Sequence, residues 1–251
     1  TYYPWIPPGY QRQSQYSSII AFNRHLIEQT HDLVAAYKLN IMLYLSIGET
    51  GIEALRRTTR MIRSVDASIP IIADTKLSEM GTGIEALWQL FFDNLGFDAI
   101  IQTPWFGNDS FTEFQHHPEV GCFVYVHDSN PSAADIQQLL LQSGKMVYEE
   151  IAHRVVTDWN KAENVMVEAA VTYPAQLHRV REIVGEDMPI LTAGLGTQGG
   201  KLEDLVGCFG KNGHRLLVNS SRAILQPHFS RTTRLKAIRQ AAENLRDALW
   251  L

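Results

Sequence analysis

Cysteines and long apolar runs are scarce in this chain of 251 residues. The two cysteines, Cys122 and Cys208, form no CxxC pair, so the sequence predicts neither a disulfide framework nor a zinc site, and a reducing cytoplasm suits it best. No apolar stretch reaches the roughly 18 residues that a membrane-spanning helix needs. The first residues also lack a signal-peptide pattern. These absences favour a soluble, cytoplasmic protein with no membrane partner.

An excess of positive charge is also lacking. Lysine and arginine number 22 against 27 acidic residues, the net charge is −5, and the basic residues are dispersed. The sequence therefore offers no electrostatic footprint for nucleic acid, although one local cationic site would suffice for a phosphorylated small molecule. The 45% hydrophobic and 20% charged content is ordinary for a globular protein. The length allows one large domain with a sizeable core.

Short apolar runs rich in β-branched residues alternate with longer amphipathic stretches. This alternation predicts a parallel sheet that helices cover on its faces. The predicted strands are 37–44, 70–74, 98–103, 122–127, 164–170, 189–193 and 215–219. The predicted helices are 19–36, 51–65, 83–95, 134–159, 174–184, 201–209 and 234–249.

Seven predicted strands are one fewer than a closed parallel barrel requires. The helix that begins near Ser17 is preceded only by a segment rich in proline, glutamine and tyrosine. We therefore predict a (β/α)₈ TIM barrel, with residues 1–251 in a single domain and the first strand upstream of Thr1. A doubly wound open sheet is the alternative, and it is less favoured because no glycine-rich loop follows an early strand.

Charged residues gather where one apolar strand ends, and barrels carry their working residues at such strand ends. Asp74 and Lys76 are two residues apart, which in extended backbone places them on one side, and Glu79 follows in the loop. Lys38 lies inside an apolar strand, where a lysine needs a carboxylate partner or a route to solvent. An ordinary solvated ion pair would also explain the motif. Its place after a buried strand favours an acid–base site in which the four charges tune one another.

Two later loops have the composition of a phosphate site. The strand 189–193 leads into a run with four glycines at 194–200, whose backbone can approach an anion closely. The last strand leads into Ser220-Ser221-Arg222, and an arginine can clamp phosphate through paired hydrogen bonds. Barrels often bind phosphate in these two loops. Ser129 and Asn130 follow the strand 122–127, where a plain turn explains them equally well.

Taken in order, these motifs resemble the orotidine 5′-phosphate decarboxylase family in its longer bacterial-type branch. The resemblance covers essentially the whole chain from Ile19 onward. It is carried by Lys38-Leu-Asn40, by Asp74-Thr-Lys76-Leu-Ser-Glu79, by the segment 103–110, by Ser129-Asn-Pro131 with 135–137, by the glycine-rich run 194–200 and by Ser220-Ser-Arg222.

The resemblance implies a decarboxylase that makes UMP in pyrimidine nucleotide biosynthesis, without a metal or organic cofactor. Lys38 and Asp74 would belong to the charged network beneath the substrate carboxylate, and Lys76 would protonate the carbon that loses carbon dioxide. The family acts as a homodimer, so Glu79 would reach into the neighbouring site.

The resemblance also implies a binding site for a nucleoside monophosphate. Ser129 would hydrogen-bond the pyrimidine, Gln198 would bridge base and phosphate, and Arg222 would bind the phosphate. The full set of expected substrate-binding residues is Asn40, Thr82, Ser129, Gln198, Gly199, Gly200, Ser221 and Arg222.

The chain departs from the family pattern near the expected sugar site. Glu79 stands where the family has aspartate, and Gly83, next to Thr82, stands where a threonine is typical. Three hypotheses stay open: ordinary activity, a modified nucleotide or another phosphorylated substrate, and a non-catalytic nucleotide-binding barrel. An aldolase with a Schiff-base lysine is disfavoured, because flanking carboxylates would keep Lys38 and Lys76 charged.

Overall fold

The computed structural model of the protein describes residues 6, 10, 12–196, 198–225 and 234–249, with the side chains of 234–236 left out. Most of the proline-rich segment before Ser17, which the sequence predicts to lack a strand, lies outside the described residues. None of the described helices is long and apolar enough to cross a membrane.

In the part of the chain that the structure describes, seven strands form one sheet in which they follow each other in chain order. The pair β1–β2 and each pair from β3–β4 to β6–β7 is parallel. All seven predicted strands are present, and the consecutive order rules out the doubly wound alternative, whose order reverses inside the sheet. The strands are β1 (Tyr37–Asn40), β2 (Ile71–Leu77), β3 (Ala99–Gln102), β4 (Gly121–His127), β5 (Val165–Ala169), β6 (Ile190–Thr192) and β7 (Leu216–Val218).

Helices alternate with these strands. The described α-helices are α1 (Gln15–Thr30), α2 (Ile41–Leu45), α3 (Glu49–Val65), α4 (Thr82–Trp88), α5 (Ala134–Gln137), α6 (Val147–Arg154), α7 (Pro174–Val184), α8 (Arg222–Leu225) and α9 (Arg234–Leu249). Two π-helical segments, Gln89–Asn94 and Val155–Trp159, extend α4 and α6. Short 3₁₀ turns lie at Gly107–Ser110, Glu113–Gln115, Pro131–Ala133, Glu203–Leu205 and Lys211–Gly213.

Five of the predicted segments are wrong in extent. The strand 70–74 continues to Leu77, so Asp74 lies in the middle of β2 and not at its end. The strand 37–44 ends at Asn40, whose side-chain oxygen accepts a hydrogen bond from the Leu43 amide at 3.3 Å and begins α2. The first helix begins earlier than predicted, because Ser14 and Ser17 form a capping box, and it ends at Thr30. The helix 134–159 is interrupted by a turn with a left-handed glycine at Gly144. The helix 201–209 is only the 3₁₀ turn Glu203–Leu205.

The chain divides into two compact units. The first comprises Thr1–Asp74, Phe91–Phe97 and Ser221–Leu251, and the second comprises Thr75–Leu90 and Asp98–Ser220. In the first unit α1 packs against α3 and α9, and Tyr10, Phe22 and Ile238 form a small apolar cluster. In the second unit the strands β3 to β6 are almost wholly buried, and Phe111 stacks on Trp159 at 4.8 Å. Burial of these apolar faces is the main force that holds each unit together.

Candidate active site

A lysine and an aspartate form a buried ion pair between the first two strands. Lys38 Nζ lies 3.7 Å from Asp74 Oδ2, and the two side chains are only 11% and 7% exposed. The register of β1 and β2 pairs Lys38 with Ile72 and Asn40 with Asp74. Both charges therefore lie within their strands, Lys38 at the second residue of β1 and Asp74 in the middle of β2. An ion pair at this depth is expensive to form and adds little stability compared with apolar packing. Such a pair is therefore a candidate for function.

Asn40 is next to this pair at the end of β1. Its side-chain oxygen caps α2, which fixes the point where the strand turns into a helix. Lys38 and Asn40 are two apart on this short strand, as the sequence motif requires. The substrate-binding role of Asn40 stays a prediction.

Lys76 has an unusual backbone. Its φ is +53°, in the left-handed region that residues other than glycine rarely adopt. The prediction that Lys76 and Asp74 lie on one side of the strand assumes an extended backbone. That assumption is wrong at Lys76. The exposed Lys76 side chain has its Nζ 5.2 Å from the centre of the Tyr125 ring on β4, a cation–π contact. The aromatic contact places the ammonium next to β4.

Glu79 lies in the exposed loop between β2 and α4, and Thr82 is exposed at the first residue of α4. The carbonyl of Glu79 accepts a hydrogen bond from the buried Ser110 hydroxyl at 3.0 Å, and that hydroxyl also lies 2.8 Å from Ser78 Oγ. The loop that carries Glu79 is thus attached to the segment after β3. Sequence reasoning missed Ser110, since a serine in a turn has no distinguishing signal.

The structure brings together Ser129 and Gln198, two of the predicted substrate-binding residues. Gln198 Nε2 donates to Ser129 Oγ at 3.0 Å, and both residues lie in the second unit. The Ser129 backbone is held by Asp128 Oδ1, which accepts from its amide at 2.7 Å, and by Thr172, whose hydroxyl donates to its carbonyl. The loop after β4 and the loop after β6 are therefore joined by a hydrogen bond between two polar side chains, and polar side chains of this kind can contact a ligand.

The glycine-rich loop after β6 closes on itself. The amides of Gly196, Gly199 and Gly200 donate to Gly200, Gly196 and Gly194 carbonyls at 2.8, 2.8 and 3.1 Å. A Cβ at Gly200 would lie 2.5 Å from a Val171 methyl and 2.9 Å from the Gly194 carbonyl oxygen. Gly200 therefore has to be glycine for packing reasons, whereas Gly196 and Gly199 have space for a Cβ but a positive φ. The amides of Gly199 and Gly200 already donate inside the loop, so phosphate contact through them would need a change of partner.

Ser221 and Arg222 lie in the first unit at the start of the short helix α8, and both are exposed. The Ser221 carbonyl accepts from the amides of Ile224 and Leu225, which forms the first turn of the helix. The exposed guanidinium of Arg222 is accessible to an anionic ligand.

A buried histidine next to Ser129 was also missed by sequence reasoning. His127 ends β4, and its Nε2 lies 3.0 Å from Gln138 Nε2 while its Nδ1 lies 3.1 Å from the Asp128 carbonyl. The amide nitrogen of Gln138 can only donate, so Nε2 is the acceptor and Nδ1 carries the proton. Burial lowers the pKa of His127, against the opposing effects of the Asp128 carbonyl and charge. His127 is therefore a neutral support for the loop.

The fold and the positions of the polar residues together define the class of protein to which the chain belongs. Parallel strands in chain order alternate with helices, as in a TIM-barrel-like fold, and the charged and polar side chains follow the strand ends. The chain is thus a parallel α/β protein with the architecture of many TIM-barrel enzymes. Among the described residues no group of three or more histidine, cysteine, aspartate or glutamate side chains could hold a metal ion.

Comparison with known proteins identifies the family. The family model described as "Orotidine 5′-phosphate decarboxylase / HUMPS family" matches residues 20–237. The orotidine 5′-phosphate decarboxylase of Thermomicrobium roseum is 38% identical over 97% of this chain and 85% of its own length. That of Herpetosiphon aurantiacus is 35% identical over 83% of this chain and 76% of its own length. The solved Leishmania donovani OMP decarboxylase is 27% identical, covers 98% of this chain and 91% of its own, and superposes with a TM-score of 0.84.

The chain belongs to the orotidine 5′-phosphate decarboxylase / HUMPS family. The resemblance that the motifs carry in sequence order is thereby confirmed. Members of this family identified by name as orotidine 5′-phosphate decarboxylases are carboxy-lyases of pyrimidine biosynthesis.

Proposed function

We propose that this protein converts orotidine 5′-phosphate to UMP and carbon dioxide. The observation that carries the proposal is the buried ion pair between Lys38 of β1 and Asp74 of β2, with Lys76 two residues after Asp74, in a chain of this family. Charges that cost free energy to bury are retained where they do chemistry.

The proposed chemistry depends on stabilising a carbanion. Loss of carbon dioxide from C6 of the pyrimidine breaks the bond to the carboxylate and leaves its electron pair on C6. The ammonium of Lys76 stabilises that developing charge more than it stabilises the ground state, and it then transfers a proton to C6. The Tyr125 ring supports this role because it holds the ammonium next to β4.

Three other charged residues complete the proposed catalytic set. Asp74 would orient Lys76 beside the departing carboxylate, and Lys38 would keep Asp74 ionised. Glu79 would act on the site of a neighbouring copy. The apolar side chains exposed near Glu79, namely Leu77, Met80, Trp105 and Phe106, support a homodimer because a second copy could bury them.

Binding of the nucleotide is assigned to the loops after the later strands. The Ser129–Gln198 pair would contact the pyrimidine and reach toward the phosphate. The phosphate would be bound by Gly199, Gly200, Ser221 and Arg222. The ribose would be bound by Asn40 and Thr82. Remote contacts of this kind supply binding energy that positions the reacting carbon.

We also propose the finer architecture that the family implies. An eighth strand would close the barrel, and the residues 1–251 would belong to that single domain. The free and buried thiols of Cys122 and Cys208 support a reducing cytoplasmic setting.

The assay that tests the function follows the loss of orotate absorbance as orotidine 5′-phosphate is decarboxylated. The Lys76→Ala variant is expected to lose turnover by at least about 10³-fold while its thermal unfolding stays unchanged. Lys161→Ala is the matched control, because Lys161 is an exposed lysine in the turn before β5. A Lys76→Ala variant with turnover close to wild type would contradict the proposal.

A different phosphorylated substrate is the second candidate. It is favoured by one observation, that Glu79 and Gly83 depart together from the family pattern. Assay of a panel of phosphorylated sugars and modified nucleotides alongside orotidine 5′-phosphate separates the two candidates.

A further inference from the structure

Gly83, the second residue of α4, has no room for a side chain. A Cβ built on this residue would lie 2.5 Å from Glu79 Oε2, 3.0 Å from Glu79 Cδ and 3.2 Å from Glu79 Cβ. Non-bonded carbon and oxygen atoms normally stay about 3.4 Å or more apart. The Glu79 carboxylate therefore occupies the space that the Cβ of any other residue at position 83 would take.

Backbone conformation does not explain this glycine. Gly81, two residues earlier, has a positive φ, whereas Gly83 lies inside α4 and does not have one. Alanine in place of glycine inside a helix is normally favourable, because it reduces the freedom of the unfolded chain. Contact with Glu79 is then the specific reason for glycine at position 83.

The main chain around Glu79 is fixed from both sides. Ser110 donates to the Glu79 carbonyl at 3.0 Å, and the Gly83 amide donates to the Met80 carbonyl at 3.1 Å. The Glu79 side chain itself is exposed and ends in rotatable bonds. A methyl group at position 83 would therefore chiefly move the carboxylate, while the 3.2 Å contact with Glu79 Cβ requires the main chain to shift by only a few tenths of an ångström.

We propose that Gly83 is a positioning residue for Glu79, and that the two form a size-matched pair in which a longer acid requires the absence of a side chain at position 83. The effect that this inference predicts on catalysis rests on the proposed function. The effect that it predicts on the position of the Glu79 carboxylate rests on the geometry alone. It accounts for two departures from the family pattern, aspartate to glutamate and threonine to glycine, as one coupled change.

The central variant is Gly83→Ala. The carboxylate has to move by about 0.9 Å, from 2.5 Å to 3.4 Å from the new methyl group. Misplacement of a catalytic group by about 1 Å costs on the order of 10²-fold in rate. We expect kcat for orotidine 5′-phosphate to fall 10- to 100-fold, KM to change less than threefold, and the thermal midpoint to stay equal or rise. Glu85→Ala, an exposed change in the same helix, is the control for helix stability.

A double-mutant cycle shows whether Gly83 acts through Glu79. In the Glu79→Ala background, which removes the carboxylate, the further change Gly83→Ala should cost less than twofold. In the Glu79→Asp background the shorter acid leaves the space open, so the same change should cost less than it does in the wild type. An equal loss in all three backgrounds, or wild-type kcat in Gly83→Ala alone, overturns the inference.

A readout independent of turnover separates this inference from the proposed function. If the wild-type protein does not decarboxylate orotidine 5′-phosphate, the proposed function fails. The inference is then decided by crystal structures of the wild type and of Gly83→Ala. A carboxylate displaced by about 0.9 Å or more supports it, and a carboxylate that stays in place with a shifted α4 backbone overturns it.

Discussion

Gln198 Nε2 donates to Ser129 Oγ at 3.0 Å, and this bond joins two loops that lie 69 residues apart in the chain. Both residues are expected to contact the nucleotide. Each therefore holds the other in place for the ligand, and loss of either should affect both contacts.

Ser129→Ala removes the acceptor of this bond and the proposed contact with the pyrimidine. We expect KM for orotidine 5′-phosphate and Kd for UMP to rise about tenfold, which corresponds to a hydrogen bond of about 1.4 kcal/mol. Steady-state kinetics and calorimetry with UMP measure the two constants. Ser132→Ala, an exposed serine in the neighbouring 3₁₀ turn, is the control and should leave both unchanged. Equal affinities in the two variants would remove Ser129 from the site.

Lys38→Met leaves the buried Asp74 carboxylate without its lysine partner. Loss of one member of a buried ion pair typically costs about 3 kcal/mol or more, and we expect the free energy of unfolding in urea to fall by about that amount. Lys211→Met is the control, because its ion pair with Asp187 has a similar length, 3.6 Å against 3.7 Å, but is exposed. Exposed pairs contribute little. Similar losses in both variants would show that burial is not what makes the Lys38–Asp74 pair important.

The stability of the protein should depend on the protonation of His127. Its pKa in the fold is below the ordinary value of 6.5, so the unfolded chain takes up the proton first as the pH falls. The contribution of His127 to stability is therefore complete above pH 6.5 and declines as the pH drops toward the lower folded pKa. We expect wild type to lose more unfolding free energy than His127→Gln between pH 7.5 and pH 5. Parallel pH profiles for the two proteins would contradict this.

Arg181 is a buried support that the sequence does not reveal. Its guanidinium donates to the carbonyls of Cys208, Gly185, Met188 and Arg215 at 2.7–2.8 Å. Burial lowers its pKa, yet the four acceptors keep it in place. Arg181→Met should lower the unfolding free energy by on the order of 3 kcal/mol, because buried carbonyls lose their donors.

The control for Arg181 lies two residues away on the same helix. Arg179 is partly exposed and pairs with Glu149 and Glu182 at 2.7 and 2.9 Å. Arg179→Met should change the urea midpoint only slightly, since surface ion pairs contribute little. A larger effect from Arg179 than from Arg181 would refute the supporting role.

The sequence predicts well those elements whose ends have local signals. The helix Pro174–Val184 is confirmed at both ends, because proline suits its first residue and Gly185 adopts a left-handed conformation after its last. The strand 37–44 is wrong beyond Asn40, because the apolar run that follows fits a strand or a helix equally well. The Asn40 side chain caps α2, and this cap favours the helix over a longer strand.

The site is predictable where the chemistry of a residue demands a particular kind of partner. Lys38 and Asp74 were expected to pair because an apolar strand demands a partner for the lysine, and the structure has that pair. The left-handed backbone of Lys76 and the attachment of Glu79 to Ser110 depend on segments distant in the chain. No local pattern in a single sequence encodes such contacts.

The self-closed glycine loop after β6 bears on how fast a ligand can bind. Its three internal hydrogen bonds engage the amides of Gly196, Gly199 and Gly200, so an anion that binds through Gly199 or Gly200 has to displace one of these bonds first. Association through these amides should then be slower than diffusional encounter alone allows, because it includes a local rearrangement of the loop.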